Sequence, residues 1–237
     1  MKKGIVCLDF DSTICKYETL DKLIKDLKLN NKKDVNIESI TKSAMNGSVD
    51  FFDSLNYRMS FVTGITKEKL QEYTDDFIRR DDLYPKINLF LEKCYNLDYD
   101  VCIISGGFRN IISEYILKGY LNIDENYVFA NQFKFNQEQE IIGFLESDLN
   151  YSDGKVKVVN KLKKKYNRVI TVGDGSTDLA TKDYVDYFIA FTKYALRKNI
   201  VKKSDFETNS FEWIGNFIEN LDDINKEIKK LINTNNN

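Results

Sequence analysis

Gly4-Ile5-Val6-Cys7-Leu8-Asp9-Phe10-Asp11-Ser12-Thr13 is the stretch from which the rest of the chain is read. Residues 4–8 are a short apolar run near the N-terminus, the pattern of a buried strand. Asp9 and Asp11 follow where that strand ends. In open α/β sheets, ligands sit in the crevice beyond the carboxyl ends of the strands. Side chains two residues apart point the same way while the chain stays extended. Two carboxylates side by side repel unless a cation or a proton separates them. The economical reading is a hard metal ion and a phosphate, with one acid free to attack.

Outward from this stretch, residues 18–83 carry apolar positions at helical spacing, clearest in 19–27 and 67–80. The Lys, Glu and Asp residues between them read as solvated helix faces. The single proline, Pro85, marks a boundary and suits the first turn of a helix. Beyond it, strands and helices alternate. Strands are expected at 99–104, 127–130, 168–172 and 187–191, and helices at 110–117 and 155–165. Residues 131–149 alternate apolar and polar around a tip at Asn136-Gln137-Glu138, as a β-hairpin does. The expected fold class is α/β: a Rossmann-like, parallel, doubly wound sheet with right-handed crossovers. The helical block is too long for a simple crossover and reads as an inserted cap. The expected division is a core at 1–13 and 85–237, with 131–149 as a hairpin flap, and a helical cap at 14–84.

Composition narrows the function classes. The chain has 237 residues, a formal charge of -2, 42% hydrophobic and 30% charged residues, as ordinary soluble globular chains have. No basic excess points to nucleic acid. No apolar run approaches the roughly 20 residues that span a bilayer, and no signal peptide is apparent. Cys7, Cys15, Cys94 and Cys102 lack CxxC spacing and read as free thiols, so a cytoplasmic location is expected. There is no histidine, which excludes a Ser-His-Asp triad, a Cys-His dyad and any His-ligated metal. Carboxylates, lysine or a metal must therefore carry proton and charge chemistry.

Three strand ends hold chemistry-bearing residues: Asp9 with Asp11, Ser105-Gly106-Gly107, and Asp174 with Asp178. Acids from different strands are suited to Mg2+, which keeps sites open for water and phosphate oxygen. Asp9 is then placed to attack phosphorus, and Asp11 to protonate the leaving oxygen and later activate water. Backbone amides after Ser105 face the phosphate from a glycine turn and helix start. Lys155, after the turn Ser152-Asp153-Gly154, supplies a point cation.

The four segments Asp9-Phe10-Asp11-Ser12-Thr13, Ser105-Gly106-Gly107-Phe108-Arg109, Lys155 and Gly173-Asp174-Gly175-Ser176-Thr177-Asp178 resemble the four motifs of the haloacid dehalogenase-like phosphatases. Glu18, Arg58 and the stretch 128–135 narrow the resemblance to the phosphoserine branch, over residues 4–220. The resemblance implies hydrolysis of O-phospho-L-serine to L-serine and phosphate through an aspartyl-phosphate, in serine biosynthesis. It implies Asp9, Asp11 (through its carbonyl) and Asp174 as magnesium ligands, with Asp178 supporting them. It implies Ser105, Gly106, Gly107 and Lys155 on the phosphate, Glu18 on the substrate ammonium and Arg58 on its carboxylate. Met45, Gly47 and Thr177 complete the implied pocket. Asn46 departs from the branch, which often has glycine before Gly47. A guanidinium matches a carboxylate bidentately, so the substrate's two ends agree with this assignment.

Two rivals remain at this stage. One is a related phosphatase for phosphoethanolamine, phosphocholine or phosphohomoserine. The other is an aspartate-phosphorylated receiver, which needs neither a long cap nor a leaving-group acid. The expected partner is a small phosphomonoester, with no nucleic acid or membrane, on a monomer or homodimer.

Overall fold

The computed structural model describes residues 2–29 and 36–221. Among these, the strands are β1 (Gly4–Leu8), β2 (Tyr99–Phe108), β3 (Val128–Asn131), β4 (Phe133–Phe135), β5 (Ile141–Phe144), β6 (Val169–Gly173), β7 (Tyr187–Phe191) and β8 (Phe206–Thr208). Six of them form one sheet in the order β3-β2-β1-β6-β7-β8, parallel throughout. β4 and β5 pair antiparallel as a separate hairpin. The helices are α1 (Thr19–Asp26), α2 (Ile37–Met45), α3 (Phe51–Val62), α4 (Lys67–Phe77), α5 (Ile87–Asn96), α6 (Arg109–Leu117), α7 (Gly154–Lys163), α8 (Ser176–Leu179) and α9 (Lys198–Val201). Residues 211–221 are also helical. No helix among the described residues is long and apolar enough to cross a membrane.

The sheet is covered on both faces, which is why its strands read as apolar runs rather than alternations. Val6, Leu8, Ile103, Ile170 and Val172 face one core, shared with Phe90 of α5, Ile112 of α6 and Phe211. Ile5, Cys7, Cys102, Ile104 and Val169 face the other, against Val158, Val159 and Leu162 of α7. All four cysteines are buried and free.

Strand order places the site. From β1 the chain builds outward through β2 and β3, then returns to β6 on the other side of β1 and builds the opposite way. The order reverses between β1 and β6, where a crevice opens beyond the strand ends. Leu8 pairs with Ile103 on one side and Val172 on the other. The Asp9 N–H donates to the Val172 carbonyl at 2.9 Å, so Asp9 and Asp174 leave the sheet side by side.

Some details differ from the sequence reading. β8 was not expected: Phe206-Glu207-Thr208 is a short edge strand without an apolar run. β2 runs on through Ser105-Gly106-Gly107 to Phe108, with a shift in register between Ile104 and Phe108. α5 begins at Ile87 rather than at Pro85, after Lys86 takes a left-handed φ of 64°.

The helices α1 to α4 lie between two linkers that pair with each other. Cys15 and Leu83 form an antiparallel bridge, and the Tyr84 N–H donates to the Ile14 carbonyl at 2.7 Å. The hairpin is hydrogen-bonded to the α3–α4 loop. Gly64 N–H donates to the Ile141 carbonyl (2.8 Å), Ile141 N–H to that of Ile65 (2.9 Å), and Lys67 N–H to that of Gln139 (2.8 Å). Phe52 at the start of α3 stacks on Tyr151 at 5.0 Å and meets Phe144 of β5 edge-on.

Candidate active site

The segment after β1 is a closed turn. The Cys15 N–H donates to the Phe10 carbonyl at 2.8 Å, and Ser12 takes a φ of 55°. A positive φ is uncommon for a residue with a side chain. This turn aims two hydroxyls at two acids, and α1 adds a third. Ser12 Oγ donates to Glu18 Oε1 at 2.9 Å and Thr13 Oγ1 to Asp174 Oδ1 at 3.3 Å. Thr19 Oγ1, in the first turn of α1, donates to Asp11 Oδ2 at 3.2 Å.

The acids crowd one buried space. Carboxylate oxygens of Asp9, Asp174 and Asp178 lie within 4.8 Å of one another, all three residues being buried. Lys155 Nζ sits 2.7 Å from Asp9 Oδ1 and 2.6 Å from Asp178 Oδ1. Asp178 Oδ2 accepts the Gly175 N–H at 3.0 Å. Burial pushes the Asp9 carboxyl up despite Lys155. Burial, then the charge of Asp9, lifts Asp178 to about 7. Burial, then the charges of Glu18 and Asp9, hold Asp11 well above the usual carboxylate range, and its Oδ1 is buried without a hydrogen-bond partner. Lys155 and Arg197 together leave negative charge among Asp9, Asp11, Asp174, Asp178 and Glu18 uncompensated, and an all-oxygen donor set suits a hard divalent cation. The residues present therefore fit a divalent metal. The close side-chain trio includes Asp178 rather than Asp11, whose implied contribution is its carbonyl.

Across the crevice, Ser105 Oγ accepts the Gly107 N–H at 2.9 Å. Asn131 fixes this segment by donating to the Gly106 carbonyl at 2.9 Å. Its own oxygen accepts from Ser147 and Asn150, which ties the crevice wall to the base of the hairpin. Gly106 is also where α3 closes down: a Cβ there would stand 2.5 Å from Phe51 Cζ. Gly106→Ala is expected to force Phe51 away and lower kcat/KM by about tenfold or more, the scale of overpacking a tight contact. Steady-state kinetics check this, with Gly106→Ala/Phe51→Leu expected to recover most of the loss.

Cap residues roof the crevice. Glu18, Leu20, Met45, Phe51, Leu55 and Arg58 line one small cavity with Asp9, Asp11, Ser105, Gly106, Gly107, Lys155 and Thr177. Its volume is ≈ 20 Å³, room for about one water. Gly47 is not among the lining residues; it is the left-handed turn residue after α2, at φ 77°. Arg58 is buried, with Nη1 3.2 Å from Asp21 Oδ1 and Nε donating to the Ser54 carbonyl at 3.3 Å. Asp21 therefore does not belong to a solvated helix face, as the spacing of α1 suggested. Burial pushes Glu18 up, with Asp21 adding to this and Arg58 and Arg197 opposing it.

Sequence reasoning missed four residues here: Asp21, Thr19, Asn131 and Arg197. The Arg197 guanidinium lies against the Asp174 carboxylate and 3.7 Å from Glu18. Thr19 and Asp21 carried a usable signal, being one and three residues past Glu18. Arg197 follows β7 in a segment with no motif spacing, and nothing local marks it.

Comparison with known proteins follows the same geometry. A family model described as haloacid dehalogenase-like hydrolase matches residues 4–181. Phosphoserine phosphatase from Bos taurus is 31% identical over 87% of this chain and 89% of its own length. The chloroplastic phosphoserine phosphatase of Arabidopsis thaliana is 32% identical over 90% of this chain and 71% of its own. A solved phosphoserine phosphohydrolase-like protein from Francisella tularensis superposes with a TM-score of 0.77 at 26% identity, covering 92% of this chain and 100% of that one. A phospho-aspartyl intermediate analogue of phosphoserine phosphatase superposes at 0.73 with 25% identity, covering 89% and 95%. Matched by that family model over three quarters of its length, and by relatives more than 30% identical along most of it, the chain belongs to the haloacid dehalogenase-like hydrolases.

Proposed function

We propose that this protein is a magnesium-dependent phosphoserine phosphatase, releasing L-serine and phosphate. One observation carries the reading: a single closed cavity has a carboxylate nucleophile and phosphate-facing groups on its floor, and a buried acid and arginine in its roof. A phosphoserine has three charged groups, and the cavity offers an opposite charge to each.

Lys155 and the Phe10 N–H hold Asp9 Oδ1, leaving Oδ2 as the attacking oxygen. Asp9 Oδ2 bonds to phosphorus as the phosphorus–serine oxygen bond breaks. Asp11, whose hold on a proton is strengthened by burial and its acidic neighbours, gives its proton to the departing oxygen. Thr19 holds that carboxyl in place. Asp11, now a carboxylate, then takes a proton from the water that attacks the aspartyl-phosphate, releasing phosphate and regenerating both acids. Asp9, Asp174 and the Asp11 carbonyl would hold magnesium, with Asp178 beside them; the ion supplies charge neutralisation of the phosphate. Ser105 and the Gly106 amide bind phosphate oxygens, the Gly107 N–H being engaged by Ser105 Oγ and orienting that hydroxyl; Glu18 binds the ammonium and Arg58 the carboxylate. Met45 and Thr177 shape the pocket from above and beside the leaving group.

Phosphate release from O-phospho-L-serine, phosphoethanolamine and phosphocholine, with and without magnesium, tests this. Magnesium-dependent turnover favouring phosphoserine is expected. Arg58→Ala should lose far more on phosphoserine than on phosphoethanolamine. Equal loss on both overturns the assignment of Arg58, and no turnover on any substrate overturns the reading.

The metal also has a stability signature. Asp178 binds its proton more tightly in the folded chain, at about 7 against an ordinary 3.8. Stability contributed by that proton is present below the unfolded value and lost as pH rises through the folded one. A bound cation takes over the proton's role. Magnesium is therefore expected to raise Tm more at about pH 8 than at about pH 5.5. An equal thermal shift at both would show that protons and metal do not compete there.

A further inference from the structure

We infer that Asp21 is a positioning residue that sets selectivity for a carboxylate-bearing phosphomonoester by holding the Arg58 guanidinium toward the cavity from behind. The inference rests on the reading of Arg58 given above and concerns a residue that takes no part in the chemistry.

The two side chains belong to different helices, α1 and α3, and 37 residues separate them. Both are buried, at 8% and 4% exposure, among buried residues that include Thr41 and Ser54. A charge in such a place is retained only when paired, since leaving it alone is strongly unfavourable. The arrangement is directional. Arg58 lines the closed cavity above Asp9, whereas Asp21 does not; Asp21 lines the wider outer groove with Ser12, Glu18 and Arg197. Asp21 thus meets the guanidinium from the outer groove and not from the cavity. With Nη1 on Asp21 and Nε on the Ser54 carbonyl, two corners of the planar group are fixed and Nη2 is left for a ligand. Arg presents its donors in a rigid fork, so fixing two corners fixes the third.

Glu18 is secured in a parallel way, by Ser12 Oγ at 2.9 Å and Arg197 at 3.7 Å. Each charge facing the amino-acid end thus has its own opposite charge behind it. This arrangement restrains Arg58 and Glu18 separately, through Asp21 and through Ser12 with Arg197. It also means that little ordering is needed when substrate binds, which is where pre-organised sites gain affinity.

The test is a cycle on two substrates. Arg58→Ala, Asp21→Ala and the double variant are assayed with O-phospho-L-serine and with phosphoethanolamine, which has no carboxylate. Asp21→Ala is expected to raise KM for phosphoserine by about tenfold or more, as expected for loss of a charge-assisted contact, with kcat little changed. Its kinetics on phosphoethanolamine should stay within about twofold of the parent, which also reports that the variant folds. The double variant should be no worse on phosphoserine than Arg58→Ala alone. Asp21→Asn, which keeps the volume and an acceptor oxygen, should fall between parent and Asp21→Ala. If Arg58→Ala is selective but Asp21→Ala hits both substrates equally, or the two losses add, the role of Asp21 is overturned while that of Arg58 stands. If Arg58→Ala is itself unselective, the reading beneath the inference has failed.

Discussion

Asp9→Asn should reduce phosphate release by about 10⁴-fold or more, the scale on which removing a covalent nucleophile acts. The substitution keeps shape and an acceptor for the Phe10 N–H, but an amide does not attack phosphorus. The chain should nevertheless fold. Asp9 is one of the charges that lift Asp11 and Asp178, so neutralising it relieves a buried repulsion. We expect a Tm equal to or above that of the parent in metal-free buffer, with the stabilisation by magnesium reduced because one donor has been weakened. Single-turnover assays with acid quench check the chemistry: the parent should show phosphate on protein, and the variant none. Phosphoprotein in the variant would place the nucleophile elsewhere.

Lys155→Ala should damage both activity and stability. Lys155 is the cation recorded within ion-pair distance of both Asp9 and Asp178. Its charge is retained despite full burial, because those two carboxylates outweigh desolvation and push its pKa up. Removing it leaves two buried acids without their counter-charge. The expected cost is about 3–5 kcal/mol of stability, the range for breaking a buried pair from one side. The acids escape part of that cost by taking up protons, so the deficit in Tm should be smallest at low pH and grow as pH rises. Turnover should fall by about 10²–10³-fold through loss of charge stabilisation at the phosphate. Magnesium should restore part of the Tm and little of the rate. Lys155→Arg should rescue neither fully, since a planar fork does not replace a compact ammonium wedged between two oxygens. A wild-type Tm in Lys155→Ala across the pH range would show that the pair contributes no net stability.

The fold was legible because its information is local. Apolar runs of strand length, each ending in glycine, serine or aspartate, mark the carboxyl ends of β1, β2 and β6, and a parallel sheet gathers such ends on one edge. Asp9, Ser105 and Asp174 could therefore be placed together before any coordinates. β8 escaped because an edge strand of three residues carries too little apolar signal. The cap was harder to read for a physical reason. A helical period says which face is apolar, but it does not say which charge on the other face will be drawn under a neighbouring helix. Asp21 reads as a surface charge on its own helix, and Arg58 was placed at the site only by the family resemblance; only the packing of α1 against α3 buries them as a pair. Arg197 and Asn131 are legible only from the assembled crevice, because their partners lie far away in the chain.

The clasp between the hairpin and the α3–α4 loop bears on how such enzymes could be recombined. The helices α1 to α4 lie between β1 and α5 in sequence, so they look like a cassette that could be exchanged for the matching helices of a relative. The backbone contacts say otherwise. Gly64, Ile65 and Lys67 share three main-chain hydrogen bonds with Gln139 and Ile141, on the far side of the catalytic strand β2 in sequence. A chimera carrying a foreign cap on the native hairpin would strand those donors and acceptors beside the buried Ile65 and Ile141. Grafts that carry the α3–α4 loop together with the β4–β5 hairpin should yield soluble hybrids with altered selectivity more often than grafts that cut through that pairing.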